Sequence, residues 1–280
     1  MTVGIANGYV QGMTNQPEYV VRVVGQIWWK NDNIFEMVLL EGIKTMDIVY
    51  LVKECRINEE LTYSLRSLVN LPHNRVFVVG GCPYNLNKSK LIHRPILQTK
   101  NKYQNTTTNL QLICQSKELS DDFILMNDDF FILEPIKDPI KELNLCRGPI
   151  EEVIKDYARR YNNCYNDYLL GMKQTKIFLE DMGVANTLSY ELHIPMVLNK
   201  QKVLDMFKLP HLESVKVIHK RSLYGNLYMK DSTPINDVKV LKNYYYPLGS
   251  NKFLSTEDDS FERVRSFLNT LFPEKGYYEI

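Results

Sequence analysis

The strongest pattern in the chain is an alternation of short apolar runs with amphipathic stretches, and it begins at Met46. Met46 to Val52 reads as a strand buried on both faces of a parallel sheet. Asn58 can cap a helix whose Leu61, Leu65, Leu68 and Val69 fall on one stripe, and that helix ends before Pro72. Arg75 to Val79 is a second β-rich run, closed by Gly80-Gly81. Strand, helix and strand in this compass predict a βαβ unit with a right-handed crossover. A helix from Asn105 through Leu119 follows, turning Leu110, Ile113 and Cys114 inward. From Asp122 to Leu133 an apolar strand enters the polar triplet Asn127-Asp128-Asp129, and apolar residues resume at once. Ile150 to Met182 reads as helical, with Gly171 and Gly183 as breaks or caps. Beyond it lie Glu191-Leu-His193-Ile-Pro195, a helix capped by Asn199, a basic segment from Lys216 to Arg221, a strand near Val238 to Tyr246 and a final helix from about Ser260 to Leu271. The pattern predicts an α/β fold, a mostly parallel sheet flanked by helices.

Residues 1–45 read differently. Tyr19 to Trp29 and Ile34 to Leu40 are apolar segments around the turn-like Lys30-Asn31-Asp32-Asn33, which predicts a hairpin. A second hypothesis makes Met46 the native start, because Glu41-Gly42 back-translates to a purine-rich codon pair at ribosome-binding-site distance. Amino-terminal sequencing of protein from the natural gene that found residues before Met46 would end that hypothesis. On either reading the expected organisation is an extension over 1–45 and a single catalytic domain over 46–280.

Composition narrows the function classes. The 280 residues carry 34 Lys and Arg against 33 Asp and Glu, a formal charge of +1. That disfavours a protein held on nucleic acid mainly by phosphate neutralisation, so no stable nucleic-acid binding is expected. No stretch approaches the roughly 18 apolar residues of a membrane helix, since Phe35 to Leu40 stops at Glu41. No secretory signal is visible at Met1. The five cysteines are spread without a C-x-x-C pair, which fits a reducing cytoplasm.

The chemistry-bearing residues each have two readings. Asp128-Asp129 either shapes a turn or, at the carboxyl end of a central parallel strand, holds a hard divalent cation against diphosphate oxygens. His193 is either a satisfied, partly buried ring or a proton acceptor for a hydroxyl. Arg221, beside Lys220 and His219, is either on a solvated basic face or bound to phosphate. Asp258-Asp259 either caps the last helix or adds a metal or base position. Gly80-Gly81 matches neither a dinucleotide nor a P-loop pattern, no G-x-S-x-G is present, and His73, His93 and His211 read as structural. Tyr244-Tyr245-Tyr246 reads as strand packing.

Taken in order, these segments resemble the Stealth family, the sugar-phosphate transferases of bacterial capsule synthesis and of the lysosomal targeting tag in animals. Asp47-Ile-Val-Tyr50, Glu60-Leu-Thr-Tyr-Ser-Leu-Arg-Ser-Leu68, Val76-Phe-Val-Val79 and Asn127-Asp128-Asp129 are similar to its first two regions. His193-Ile-Pro195 looks like its His-x-Pro block, Arg221 falls where an arginine block is expected, and Phe253 to Asp259 with Phe272-Pro273 and Glu279 is similar to its closing region. Departures are Leu51-Val-Lys-Glu54 in place of the usual Thr-Trp-Val-Asp/Asn, Met196 where a second histidine is frequent, and Gly276 for serine. The resemblance implies a Rossmann-like, GT-A-like nucleotide-diphospho-sugar transferase dependent on Mg2+ or Mn2+. It implies Asp128 and Asp129 as metal ligands or acceptor activators, His193 for proton transfer or phosphate stabilisation, Arg221 for phosphate, and Asp258 or Asp259 in support. Asp47, Arg66, Asn127 and Asp259 are its expected substrate contacts, Arg66 being equally suited to a structural ion pair. The partners implied are a nucleotide-sugar donor and a glycan acceptor, with peripheral membrane contact open. The alternative on the same sheet is a glycosyltransferase, phage-encoded in one version, that releases nucleoside diphosphate.

Overall fold

The computed structural model describes residues 4–8, 23–27, 29–30, 33–34, 45–98, 101–160, 166–242, 247–257 and 259–280. The chain divides into two units, Met1–Lys44 and Thr45–Ile280. In the first, Gly4–Gly8 pairs antiparallel with Val23–Ile27, and Trp29–Lys30 with Asn33–Ile34 across the turn-like segment.

In the second unit the elements are β1 (Met46–Val52), α1 (Glu59–Ser67), β2 (His73–Gly80), β3 (Ile92–Arg94), α2 (Lys102–Cys114), β4 (Asp122–Met126) and β5 (Phe130–Ile132). They continue as α3 (Ile150–Arg160), α4 (Asp167–Asp181), β6 (Met196–Asn199), α5 (Lys200–Met206), α6 (Lys220–Tyr228), β7 (Lys239–Val240), β8 (Phe253–Thr256) and α7 (Glu262–Leu271). The central sheet has the order β6-β4-β1-β2-β3, with β3, β2, β1 and β4 parallel and β6 antiparallel at one edge. The α/β fold with a mostly parallel, helix-flanked sheet is therefore the observed one.

The continuous apolar character of the central strands follows from burial on both faces. Val49, Leu51, Phe77, Val79, Phe123 and Leu125 face a core shared with α2 and the helices of the second half. Ile48, Tyr50, Val76, Val78, Ile124 and Met126 face Leu61 and Leu65 of α1 and Leu68 just past its end. Each fully buried leucine contributes roughly 2 kcal/mol relative to exposure, which offsets the modest helix propensity of a nine-residue α1. Asn58 caps α1 as its sequence predicts, its side chain accepting from Leu61 N–H at 2.9 Å. Asn199 likewise accepts from the N–H groups of Gln201 and Lys202 at the start of α5.

A second sheet has the order β7-β8-β5 and packs on α7 through Phe131, Leu254, Val264 and Leu268. The apolar residues after the triplet thus leave the central sheet, and Phe253, Leu254 and Ser255 pair antiparallel with Ile132, Phe131 and Phe130. Gly171 departs from its predicted role. It lies inside α4, where a Cβ would come within 2.5 Å of Val217 O, so it permits close packing instead of ending the helix. Gly183 does end the helix region, with φ +86° just past the Met182 cap. The strand expected near Val238 to Tyr246 is observed only as β7; residues 243–246, including Tyr244 to Tyr246, lie outside the described residues.

Candidate active site

The strand order fixes where a site can form. From β1 the chain crosses through α1 to β2 on one side, and it later returns to place β4 on the other side of β1. The loops leaving the carboxyl ends of β1 and β4 therefore diverge, and a crevice opens between them. A cavity of about 530 Å³ lies there, lined by Lys53, Cys55, Asn58 and Asp128 from these loops and by Asp259 and Phe261 from the segment before α7.

The triplet Asn127-Asp128-Asp129 forms the turn from β4 into β5, closed by Phe130 N–H donating to Asn127 O at 3.3 Å. Its two carboxylates serve different surroundings. Asp128 Oδ2 accepts from Asn58 Nδ2 at 2.6 Å and faces the cavity. Glu59, Glu60, Asp259 and Glu262 also line that cavity, against Lys53 as its cation. The carboxylates of this acid-rich lining are the oxygen donors a hard divalent cation takes. Among the described residues no three His, Cys, Asp or Glu side chains converge as a ligand set, so the chain would supply Asp128 and the substrate most of the remaining oxygens. Asp129 points elsewhere, with Oδ2 accepting from Ser255 Oγ at 3.1 Å and pairing with Lys239 Nζ at 3.5 Å.

On the Asp129 side stands a second cluster. His193, just before β6, has Nδ1 2.9 Å from both carboxylate oxygens of Asp237, and its backbone N–H donates to the same carboxylate at 3.2 Å. Arg147 adds a guanidinium 3.6 Å from Asp237. Burial alone would raise the Asp237 pKa, and His193 and Arg147 reverse this and hold it well below the carboxylate range. Phe130 supports the cluster: the His193 ring meets it edge-on at 6.2 Å, and the Arg221 guanidinium lies 5.3 Å above it.

Arg221, in the first turn of α6, is enclosed rather than on a solvated basic face. Its Nη2 donates to Ile194 O, while Nε and Nη1 are buried without a hydrogen-bond partner. Burial pushes its pKa down to about 10 against the charges of Glu191, Asp129 and Asp237. Glu191 accepts from Ser222 N–H and Oγ at 3.1 and 3.2 Å at the start of the same helix. Burial resists its ionisation, and His219, Arg221 and Lys220 outweigh burial and lower its pKa. Lys220, donating to Thr106 Oγ1 at 3.1 Å, is pushed by burial down to about 8. Two buried guanidinium nitrogens are thus left without acceptors, and an unmade charged hydrogen bond is costly, so the chemistry of this place suits an anion.

No family model matches the sequence, and no curated protein does. Among solved structures the fold is similar to the galactosyltransferase LgtC in complex with donor and acceptor sugar analogues, at 12% identity and a TM-score of 0.46 over 81% of this chain and 95% of that one. It is also similar to the bifunctional glycosyltransferase WbbM, at 10% identity and a TM-score of 0.39 over 68% of this chain and 38% of that one. The glycosyltransferase GlyE of Streptococcus pneumoniae gives 11% identity and a TM-score of 0.33 over 81% and 50%. These are likenesses of fold alone.

Of the residues singled out by sequence, the structure gathers Asp129, His193 and Arg221 around Phe130, with Asp128 and Asp259 in the adjoining cavity and Asn127 in the turn. Asp47 is not among them. It lies at the amino end of β1, fully buried, and its carboxylate accepts from Arg75, Asn74 and the Ser120 N–H. Burial would raise its pKa, yet these donors lower it, so the substrate contact expected of Asp47 gives way to a structural ion pair. Arg66 likewise pairs with Glu279 through Nε and Nη2, each at 2.7 Å, and donates to Phe272 O. That is the structural one of its two readings. Asp259 pairs with Lys242 at 3.2 Å and does not cap α7, whose N-cap is Phe261. Asp258 lies outside the described residues. Asp237, Arg147, Glu191 and Lys239 were missed by sequence reasoning. Only Asp237, in Asn236-Asp237 before a short β run, carried a weak signal.

Proposed function

We propose that the protein is a transferase that moves sugar 1-phosphate from a nucleotide-diphospho-sugar to a glycan hydroxyl. The observation that carries this reading is the buried, unpartnered Nε and Nη1 of Arg221 beside the His193–Asp237 pair. With Nδ1–H donating to Asp237, the His193 Nε2 lone pair is available to accept the acceptor hydroxyl's proton. The acceptor oxygen then forms its bond to the β-phosphorus as the bond from that phosphorus to the bridging oxygen breaks, and nucleoside monophosphate leaves. Arg221 offers donors to the phosphoryl oxygens in a site largely closed to water, where charge-assisted hydrogen bonds are strongest. Asp237 holds the ring's orientation and balances the imidazolium that forms. Asp128, with Asn58 fixing its carboxylate, would hold Mg2+ or Mn2+ together with diphosphate oxygens, and the ion would supply charge neutralisation. Lys239, anchored on Asp129, adds a further cation within the cluster. The Stealth resemblance supports surface or capsular glycan as the acceptor class, and the spread cysteines without a C-x-x-C pair support the cytoplasm as the place of work.

The test is incubation with Mg2+ or Mn2+ and a panel of nucleotide sugars and glycan acceptors, followed by identification of the released nucleotide. Nucleoside monophosphate with a phosphodiester-linked product is expected. Nucleoside diphosphate would make the reaction glycosyl transfer instead, and no acceptor-dependent release from any donor would overturn both.

A further inference from the structure

We infer that Glu191 and Ser222 are positioning residues that lock the helix carrying Arg221 to the segment carrying His193, so that the guanidinium keeps its place relative to the imidazole; the effect on rate rests on the transferase reading above, the effect on anion binding does not. The joint runs along one side of α6. Tyr190 N–H donates to Ser222 Oγ at 3.0 Å, and the same hydroxyl donates to Glu191 Oε1 at 3.2 Å. Ser222 N–H reaches that carboxylate oxygen at 3.1 Å, and Arg221 Nη2 donates to Ile194 O. One turn further along α6, Asn226 accepts from Leu188 N–H at 2.8 Å and donates to Leu188 O at 2.6 Å. Between these bonds Gly225 lets the Tyr190 ring lie against the helix backbone, where a Cβ would come within 2.3 Å of it. Residues 188–194 and α6 are thus laced into one unit, and Arg221 and His193 are both mounted on it.

An ordinary helix cap does not account for this arrangement. His219 occupies the N-cap of α6 and makes no side-chain cap bond, whereas Asn58 and Asn199 cap α1 and α5 from within their own segments. At α6 the N–H is served instead by a carboxylate brought from the segment of His193. Glu191 is largely enclosed among His219, Lys220 and Arg221, and a buried charge carries a desolvation cost that a neutral cap avoids. What the carboxylate adds is placement. Ser222 is the residue after Arg221 and Glu191 lies two before His193, so each bond between them fixes one reactive group against the other. Ser222 is 1% exposed, which leaves water no access to replace its hydroxyl. Displacing a catalytic group by about 1 Å costs roughly a hundredfold in rate, so a joint this close to both groups bears on turnover.

The experiment is a double-mutant cycle of Ser222→Ala with Arg221→Lys, read by calorimetric binding of inorganic pyrophosphate with Mg2+ and by kcat for nucleotide release, each per folded molecule from melting curves. Ser222→Ala alone is expected to weaken pyrophosphate binding about fivefold and to lower kcat about thirtyfold. In the Arg221→Lys background the same change should cost less than about twofold in either, because the group it positions is gone. A residue that only stabilises the fold would give equal losses in both backgrounds. Glu191→Gln keeps an acceptor for both Ser222 donors and should stay within about threefold of wild type. Where alanine does not fold, Ser222→Cys keeps the shape with only weak hydrogen bonding and repeats the cycle. Equal losses in both backgrounds, an unimpaired Ser222 variant, wild-type pyrophosphate binding that is absent or independent of Arg221, or a Glu191→Gln loss as large as that of Ser222→Ala would overturn the proposal. Pyrophosphate binding needs no turnover, so a failure of the transferase reading would show in nucleotide release alone.

Discussion

His193 and Asp237 stand 44 residues apart in the sequence, yet the imidazole Nδ1 lies 2.9 Å from both oxygens of the carboxylate. The backbone N–H of His193 donates to the same group, so Asp237 fixes both the ring and the chain that carries it. Asp237→Asn keeps the shape and removes the charge that balances the imidazolium. Its kcat is expected to fall by about a hundredfold or more with donor KM within a few-fold of wild type. Steady-state nucleotide release checks this; a rise in KM with unchanged kcat would give Asp237 a binding role instead.

The sheet was legible because strands buried on both faces must be apolar throughout, and helix caps such as Asn58 and Asn199 have a local chemistry. The path of Phe130 to Ile132 was not legible. Those residues would look the same continuing β4 or turning away, and only Phe253 to Ser255, far along the chain, decides it. Arg221 shows the same limit. His219-Lys220-Arg221 reads equally as a solvated face, and the enclosing groups, Phe130, Glu191 and Ile194 O, are brought by other segments. Asp237 had no motif of its own. Its meaning comes from where His193 lands.

Asn58 links helix stability to the cavity. Its Oδ1 caps α1 and its Nδ2 donates to Asp128. Serine at this position keeps a capping oxygen but cannot hold Asp128, whereas alanine loses both. Asn58→Ser is expected to change stability by only a few tenths of a kcal/mol while lowering activity and raising the Mg2+ or Mn2+ concentration needed for half-maximal rate. Asn58→Ala should show the same activity defect with about 1 kcal/mol of lost stability. Denaturant melts and metal titrations of activity on the two variants separate these effects; equal activity in Asn58→Ser and wild type would remove Asn58 from the site.

The orphaned Nε and Nη1 of Arg221 offer an anion a planar fork of donors that lysine cannot reproduce. Arg221→Lys is expected to lose activity by about a hundredfold, nearly as much as Arg221→Ala. Arg221→Lys, which keeps a positive charge beside Glu191, should hold the wild type's thermal stability in the absence of substrate, whereas Arg221→Ala also removes that charge and should melt lower. Parallel melting and turnover measurements check the pairing of lost activity with undiminished stability in Arg221→Lys, and a large loss of both in that variant would make Arg221 a structural residue.

Lys220 supplies a pH dependence whose sign can be worked out. Its pKa falls from an ordinary 10.5 to about 8 on folding because burial penalises the ammonium. Between these values the unfolded chain binds a proton that the native protein does not, so this residue makes stability rise with pH, by about 1 kcal/mol per unit. Below about pH 8 both states are charged, and the full cost of burying the ammonium is present. The buried thiol of Cys114 has the opposite tendency, since burial raises its pKa to about 12 and the native state keeps a proton that the unfolded chain releases. The informative quantity is therefore the difference between wild type and Lys220→Met. That difference should favour the variant at pH 7, shrink through pH 8 to 10 and be smallest at the top of that window. Urea melts at fixed pH steps measure it, and a difference that stayed constant with pH would show that Lys220 titrates alike in both states.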